Sequence, residues 1–296
     1  MLVVLSGKVF CIVGTAGWPA AFLSSGYGAR PLALAGAFTA DTDDATVPYW
    51  NPAGIAFEDK MALSSMVSWM ATTDMTSNFF NFIYPSNAGN FALNWINFGI
   101  GGIEARQTDT SSYTLVSDSE NAFFGTYAKS FTKWFSLGGN VKVISSNLVG
   151  TPAFGMSCDL GAIIKPSEMV QFGVMLQDML NFLNWGTGTT EHIPLDLKLG
   201  TEVQALPGII SVFADFDENQ YDITASAGAE ANILKIFFLR AGGYYDLTSY
   251  ESNYTLGGGI KYQIAGFLAQ LDYAFLSQLI LGQEEFNHKL SLAVYF

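Results

Sequence analysis

From Lys60 to the end of the chain, apolar and polar residues alternate with period two, in segments of the length expected for spanning strands, about 9–11 residues. The clearest stretch is Ile223 to Asn232. There Ile223, Ala225, Ala227, Ala229 and Ala231 fall on one face, and Thr224, Ser226, Gly228, Glu230 and Asn232 on the other. A strand sends successive side chains to opposite faces, whereas a helix would scatter this pattern. Leu195, Leu197 and Leu199 oppose Asp196, Lys198, Gly200 and Glu202 in the same way, as do Leu137, Val141 and Val143 against Ser136, Asn140 and Lys142. The alternation predicts fourteen strands, at 61–70, 78–85, 90–106, 121–131, 135–148, 153–165, 170–178, 193–205, 209–217, 222–235, 237–248, 253–264, 267–276 and 286–296.

No charge occurs between Met75 and Ile103, yet six asparagines and the turn-forming Pro85-Ser86-Asn87-Ala88-Gly89 predict a hairpin there and not a helical span. In its second strand the apolar phase moves from Phe91, Leu93 and Trp95 to Ile96, Phe98 and Ile100, which predicts a bulge at Trp95–Ile96. Two readings of that slip stand: an ordinary bulge, and a kinked strand with a lateral opening.

Composition decides which solvent the faces meet. Half of the 296 residues are apolar and 13% are charged, against about 25% charged in a soluble domain. Mean hydropathy is +0.27. No uninterrupted apolar run reaches the ~20 residues of a helical span, so a closed barrel is the structure that satisfies its backbone in lipid. A soluble β-sandwich also alternates. Against it stand the aromatics near strand ends (Tyr127, Trp134, Phe135, Tyr262, Tyr273) and an opposite face of Gly, Ser, Asn and Thr. The expected fold is all-β: a transmembrane antiparallel barrel in a bacterial outer membrane. The net charge of −13 offers no basic footprint and excludes a nucleic-acid partner.

The first residues read as an export signal, with Lys8, an apolar stretch from Val9 to Gly17 and small residues at Ala20-Ala21. The expected organisation is a signal peptide at 1–21, an N-terminal segment at 22–59 and the barrel at 60–296. Within the segment, Pro31 to Phe38 predicts a short helix with Pro in its first turn. Asp41, Asp43 and Asp44 follow, then Tyr49-Trp50-Asn51-Pro52-Ala53-Gly54. Pro52 pushes Asn51 out of the helical region and Asn51 starts a turn.

The stretch from Gly28-Ala29-Arg30 through Asp43-Asp44-Ala45 to Trp50-Asn51-Pro52-Ala53 resembles the FadL superfamily, and especially its PorV/PorQ-like branch. Asp272-Tyr273-Ala274-Phe275 and His288-Lys289-Leu290-Ser291-Leu292 are similar to the last two strands of that branch. The resemblance implies a fourteen-stranded barrel holding a short N-terminal plug, or hatch. It also implies one of two functions: passive transport of hydrophobic compounds such as long-chain fatty acids or lipids, or an accessory role in type IX protein secretion beside a translocon. The last strand resembles the signal read by the barrel assembly machinery at Lys289, Val294 and Phe296, with Ser291 where glycine is usual. Outer-membrane lipids and hydrophobic small molecules complete the expected partners.

The candidate plug and ligand residues are Arg30, Leu32, Leu34, Phe38, Asp43, Asp44, Trp50, Asn51 and Pro52. The strand phase turns Phe124, Lys142, Met175, Lys198, Phe213, Arg240 and Lys261 inward to line the lumen. Asp41, Asp43 and Asp44 are expected to pair with Arg240, Lys142, Lys198 or Lys261, either tying the segment down or gating a ligand. Enzymatic chemistry finds no support. The two histidines, His192 and His288, have no nucleophile beside them in the sequence, and no nucleophile elbow or phosphate-binding loop occurs. Cys11 and Cys158 form no metal-ligand spacing, so neither a metal nor a cofactor is expected.

Overall fold

The computed structural model describes residues 18–70, 75–105, 112–280 and 283–296. Most of the expected signal peptide therefore lies outside the described residues. The strands are β1 (Ala62–Met70), β2 (Met75–Tyr84), β3 (Asn90–Ala105), β4 (Thr114–Thr132), β5 (Phe135–Leu148), β6 (Thr151–Ser167) and β7 (Val170–Gln177). A small hairpin, β8 (Phe182–Trp185) and β9 (Thr190–Glu191), comes next. After it run β10 (Asp196–Leu206), β11 (Ile210–Glu218), β12 (Ile223–Ile233), β13 (Phe237–Asp246), β14 (Ser252–Ile264), β15 (Phe267–Ile280) and β16 (Gln283–Tyr295).

Each strand of β1–β7 and β10–β16 pairs antiparallel with its neighbours, and β1 pairs with β16, so fourteen strands close into a barrel. Closure leaves no edge, which is what a sheet in hydrocarbon requires. The β8–β9 hairpin extends from β6 at the far end of the barrel. Among the described residues, no helix is long and apolar enough to cross a membrane.

The faces sort as the alternation predicts. On β10, Leu197, Leu199 and Val203 point outward while Asp196, Lys198, Gly200 and Glu202 are buried inside. On β16, Phe286, Leu290, Leu292 and Phe296 are outward and exposed, with Ser291 and Tyr295 buried inside. This is the reverse of a water-soluble β-domain, and it matches a barrel whose outer belt meets hydrocarbon.

Three expectations change. First, there is no bulge at Trp95–Ile96: β2 and β3 pair without interruption from Met75↔Ile100 to Tyr84↔Phe91, and the shift in β3 lies between Ile100 and Ile103. Ile96 is apolar and inward because it joins a buried apolar cluster with Met66 and Phe79, against which Phe98 also packs. At Trp95 and Ile96 the strand carries apolar side chains on both faces, and the apparent slip is a change in what the bore contains. Second, β4 begins at Thr114, seven residues before the expected start, in a stretch where Leu115 and Val116 fall on opposite faces and Ser117 to Glu120 is polar on both. Third, the segment's first helix is shorter than expected. It covers Ala29–Ala33 (α1) and is broken by Ala35 and Gly36, both at positive φ.

The outer belt gives a first test. Leu199→Arg, which places a charge on the outward face of β10, is expected to destabilise the folded barrel by about 2–4 kcal/mol if near the bilayer midplane. The check is a urea titration of the lipid-reconstituted protein. An unchanged midpoint contradicts the outward, lipid-facing assignment.

Candidate functional site

Residues 18–57 lie on the inward side of the strands. Beyond α1, the segment contains 3-10 turns at Ala21–Ser24 and Pro52–Phe57 and one turn of helix, α2 (Val47–Trp50). It comes so close to the wall, by backbone or by side chain, that seven strands present glycine at the contact. These are Gly138, Gly161, Gly173, Gly200, Gly228, Gly242 and Gly257, on β5, β6, β7, β10, β12, β13 and β14. A Cβ on any of them would fall within 3.0 Å of a segment atom, in Ala33 to Ala35, Thr39, Ala40 or Asn51 to Ala53, and at Gly200 and Gly257 of Asp215 and Tyr273 as well. The intervening strand β11 contributes Asp215, the register partner of Gly200, whose Oδ2 accepts from the amides of Phe38 (2.8 Å) and Thr39 (2.7 Å).

Hydrogen bonds complete the ring of attachment. The Ala29 amide donates to Ser291 Oγ (2.9 Å), and the Ala45 amide to the Tyr295 hydroxyl (3.1 Å). Thr255, Asn140, Ser136 and Asn90 donate to the carbonyls of Ala33, Pro48, Ala53 and Ile55. Asn51 is extended, with φ −160° and ψ 108°, and its Oδ1 accepts from the Ala53 amide to cap the turn that Pro52 opens. Its Nδ2 reaches the carbonyls of Thr39, Ala162 and Val174, so one amide ties two parts of the segment to β6 and β7.

Charge is concentrated at Arg30. Its guanidinium meets Glu230 of β12 through two nitrogens (2.9 and 3.1 Å) and stands 3.0 Å from Asp41 and 3.7 Å from Asp44. Burial pushes the Asp41 carboxyl up to about 6, with Arg30 pulling against that rise. Glu230 also takes Arg240 (2.5 Å), which reaches Asp272 at 2.6 Å.

The expected pairing of the acidic loop with lumen cations therefore holds only for Asp43 and Lys261, 3.7 Å apart. Lys142 pairs with Asp159 and Asp178, Lys198 with Asp196 and Asp217, and Arg240 with Glu230 and Asp272. Carboxylates of the wall reach these cations first: Lys198↔Asp217 and Arg240↔Glu230 are register partners, Asp159 is on the strand beside Lys142, Asp178 directly follows β7, and Asp272 is one strand beyond β14.

Six of the apolar candidates join one buried cluster inside the bore, and Met175 is buried outside that cluster. Leu32, Leu34, Phe38, Trp50, Phe124, Met175 and Phe213 are all buried. Phe38 stacks on Phe213 and meets Trp50 edge-on, and Trp50 Nε1 donates to the Tyr27 carbonyl (2.8 Å). Lys289 faces inward and donates to Ser68, whereas Val294 and Phe296 point outward. His192 lies exposed after β9, and His288 meets Tyr273 on the outer face. No group of three or more His, Cys, Asp or Glu among the described residues is placed to hold a metal ion. Sequence reasoning missed Asp215, Glu230 and Asp272 as anchors. It also missed the inward glycines, whose signal was glycine recurring on the polar phase of successive strands.

No protein-family model and no curated protein matches the chain. Among solved structures, the fold is similar to the toluene transporter TodX of Pseudomonas putida, with TM-score 0.69 and 14% identity over 92% of this chain and 99% of that one. It is also similar to a Pseudomonas aeruginosa FadL homologue, with TM-score 0.64 and 13% identity over 91% of this chain and 98% of that one. The monoaromatic hydrocarbon channel CymD follows at 0.63 and 12%, over 91% and 96%. These matches establish the fold, a fourteen-stranded barrel of the kind found in outer-membrane hydrocarbon channels.

Two substitutions test how the segment is held. Gly242→Val is expected to force Leu34 and Ala35 off the wall and expose residues 29–57 to limited proteolysis, whereas Ala227→Val on the outer face leaves the digest unchanged. Glu230→Gln leaves Arg30 and Arg240 short of a counter-charge and is expected to cost about 3–5 kcal/mol, read as a lower unfolding midpoint.

Proposed function

We propose that this protein is an outer-membrane channel that passes hydrophobic molecules, with residues 1–21 as export signal, 22–59 as plug and 60–296 as barrel. In this reading the last strand, with Lys289, Val294 and Phe296, is recognised by the barrel assembly machinery. The short turns and Phe296 then face the periplasm, as in other outer-membrane barrels. The observation that carries the reading is the match over nine-tenths of the chain to barrels described as a toluene transporter and a monoaromatic hydrocarbon channel.

The interior supports an apolar cargo. Phe22, Leu23 and Tyr27 sit in one cluster with Met66, Phe79 and Ile96 of β1–β3, a surface that suits a ligand with few polar groups. Residues 29–57 are bonded to the wall all round. Residues 22–27 are held by the segment itself: the Tyr49 hydroxyl donates to the Leu23 carbonyl (2.6 Å) and accepts from the Gly26 amide (3.2 Å). The cargo route in this reading opens when residues 22–27 leave the apolar cluster, while the floor stays in place. Long-chain fatty acids and monoaromatic hydrocarbons are the cargo classes to test. The uninterrupted pairing at Trp95–Ile96 lends no support to a lateral opening there.

A second reading, a PorV/PorQ-like accessory of type IX secretion that docks a translocon, is favoured by the close fit of residues 29–57 to the wall, which suits a scaffold.

Proteoliposomes separate the two. Uptake of labelled fatty acid or toluene above that of empty liposomes is expected, and Tyr49→Phe, which removes both hydroxyl contacts, is expected to raise it several-fold, since each hydrogen bond is worth about 1 kcal/mol. No uptake of either compound, together with co-purification of a large translocon barrel, supports the accessory reading and contradicts the channel.

A further inference from the structure

At the Phe296 end, the bore holds a cavity of about 550 Å3 whose floor includes Asp41, Thr42 and Asp43. It is separate from the apolar cluster around Tyr27, and the cargo route above makes no use of it. Five carboxylates line it, two more (Asp44 and Asp272) back its arginines, and five cationic side chains face them. Most of these charges are already matched, through the Arg30–Glu230–Arg240 chain and through Lys261 beside Asp43.

Among the fully buried side-chain atoms of the lining, those left without a counterpart are acceptors, while Lys165 is half-buried and Lys235 exposed. Glu202 is buried and bonded by the Gln171 amide, and it forms no ion pair with any described residue. Lys165, the nearby cation that would serve it, instead donates to Thr42 Oγ1 (2.6 Å) and lies 3.9 Å over the Phe57 ring. Gln270 is 3% exposed. Its Nε2 is engaged by Asp272 (2.7 Å) and Asp44 (3.4 Å), and its Oε1 has no partner among the described residues. Asn232 Oδ1, also on the cavity lining, is buried in the same condition. A buried carboxylate without a cation and two buried amide oxygens without donors are costly unless a donor fills the space. An anion would leave all three unmatched.

We propose that this cavity binds an organic cation, an ammonium or guanidinium group, with Glu202 as counter-ion and Gln270 Oε1 and Asn232 Oδ1 as the acceptors that orient it. No set of carboxylates among the described residues is placed to hold a metal. Acceptors distributed around a chamber of this volume suit several N–H donors on a carbon chain. A free diamine and a basic side chain of a periplasmic partner share this chemistry.

Isothermal titration of the detergent-solubilised protein tests the site with three probes: cadaverine, the tripeptide Gly-Lys-Gly, and glutarate as the anionic control. Saturable binding of a cationic probe is expected, weakened about tenfold or more in Glu202→Gln, the loss expected for one charge-assisted contact, with no binding of glutarate. Tighter binding of the tripeptide assigns the site to a partner's side chain, and tighter binding of cadaverine assigns it to a free amine. If Glu202→Gln does not fold as a heat-modifiable barrel, Gln270→Met supplies the same comparison. Binding of neither cation at millimolar concentration, an unchanged affinity in the variant that folds, or preferential binding of glutarate overturns the proposal.

Discussion

Hydrocarbon offers no hydrogen bonds, so a chain that crosses it in strands must pair every edge. The pairing of β1 with β16 meets that requirement, and the rest of the architecture follows from it. Once the ring is closed, one face of every strand points outward and the other into an enclosed bore. The same alternation that would bury a soluble sheet's apolar face here turns Leu199, Leu256 and Leu292 outward. The polar phase is turned in, and a bore lined by Asp, Glu, Lys, Arg and Asn side chains must match its charges within itself.

The segment at residues 18–57 and the wall answer that demand together. Glycines on successive strands let the backbone approach closely. Polar side chains between them, such as Asp215, Ser291 and Asn140, satisfy the amides and carbonyls that short helical turns leave open. Buried ion pairs such as Arg30–Glu230 add little net stability, because desolvation offsets their attraction, but losing one partner strands the other. Their consequence here is positional: Arg30 can sit beside Asp41, Asp44 and Glu230 only if α1, which packs on β14 and β15, holds its guanidinium within reach of β12.

Much of this was legible in the sequence because it depends on a period of two. Ile223 to Ile233 declares its faces by composition alone, and each of the fourteen expected segments corresponds to a barrel strand. Asn51-Pro52 also declared its turn, since proline restricts the residue before it. The failures have one physical source: periodicity reports polarity and not what lies across the space. Ile96 and Phe98 looked like a slipped strand because the apolar residues they meet, such as Tyr27, are far away in sequence. Leu115 and Val116 fall on opposite faces and Ser117 to Glu120 is polar on both, so the start of β4 carries no alternation to read. Lys142 and Lys198 were expected to meet the acidic loop, yet their partners are set by strand register, which places Asp159 and Asp217 nearer.

The most direct measurement is the collision accessibility of spin labels on Ala225→Cys, Ala227→Cys and Ala229→Cys of β12 in lipid bilayers. The account expects all three to collide readily with dissolved oxygen and hardly at all with a water-soluble nickel chelate. Labels that the nickel chelate reaches as freely as oxygen would place this face in water and contradict the inside-out barrel.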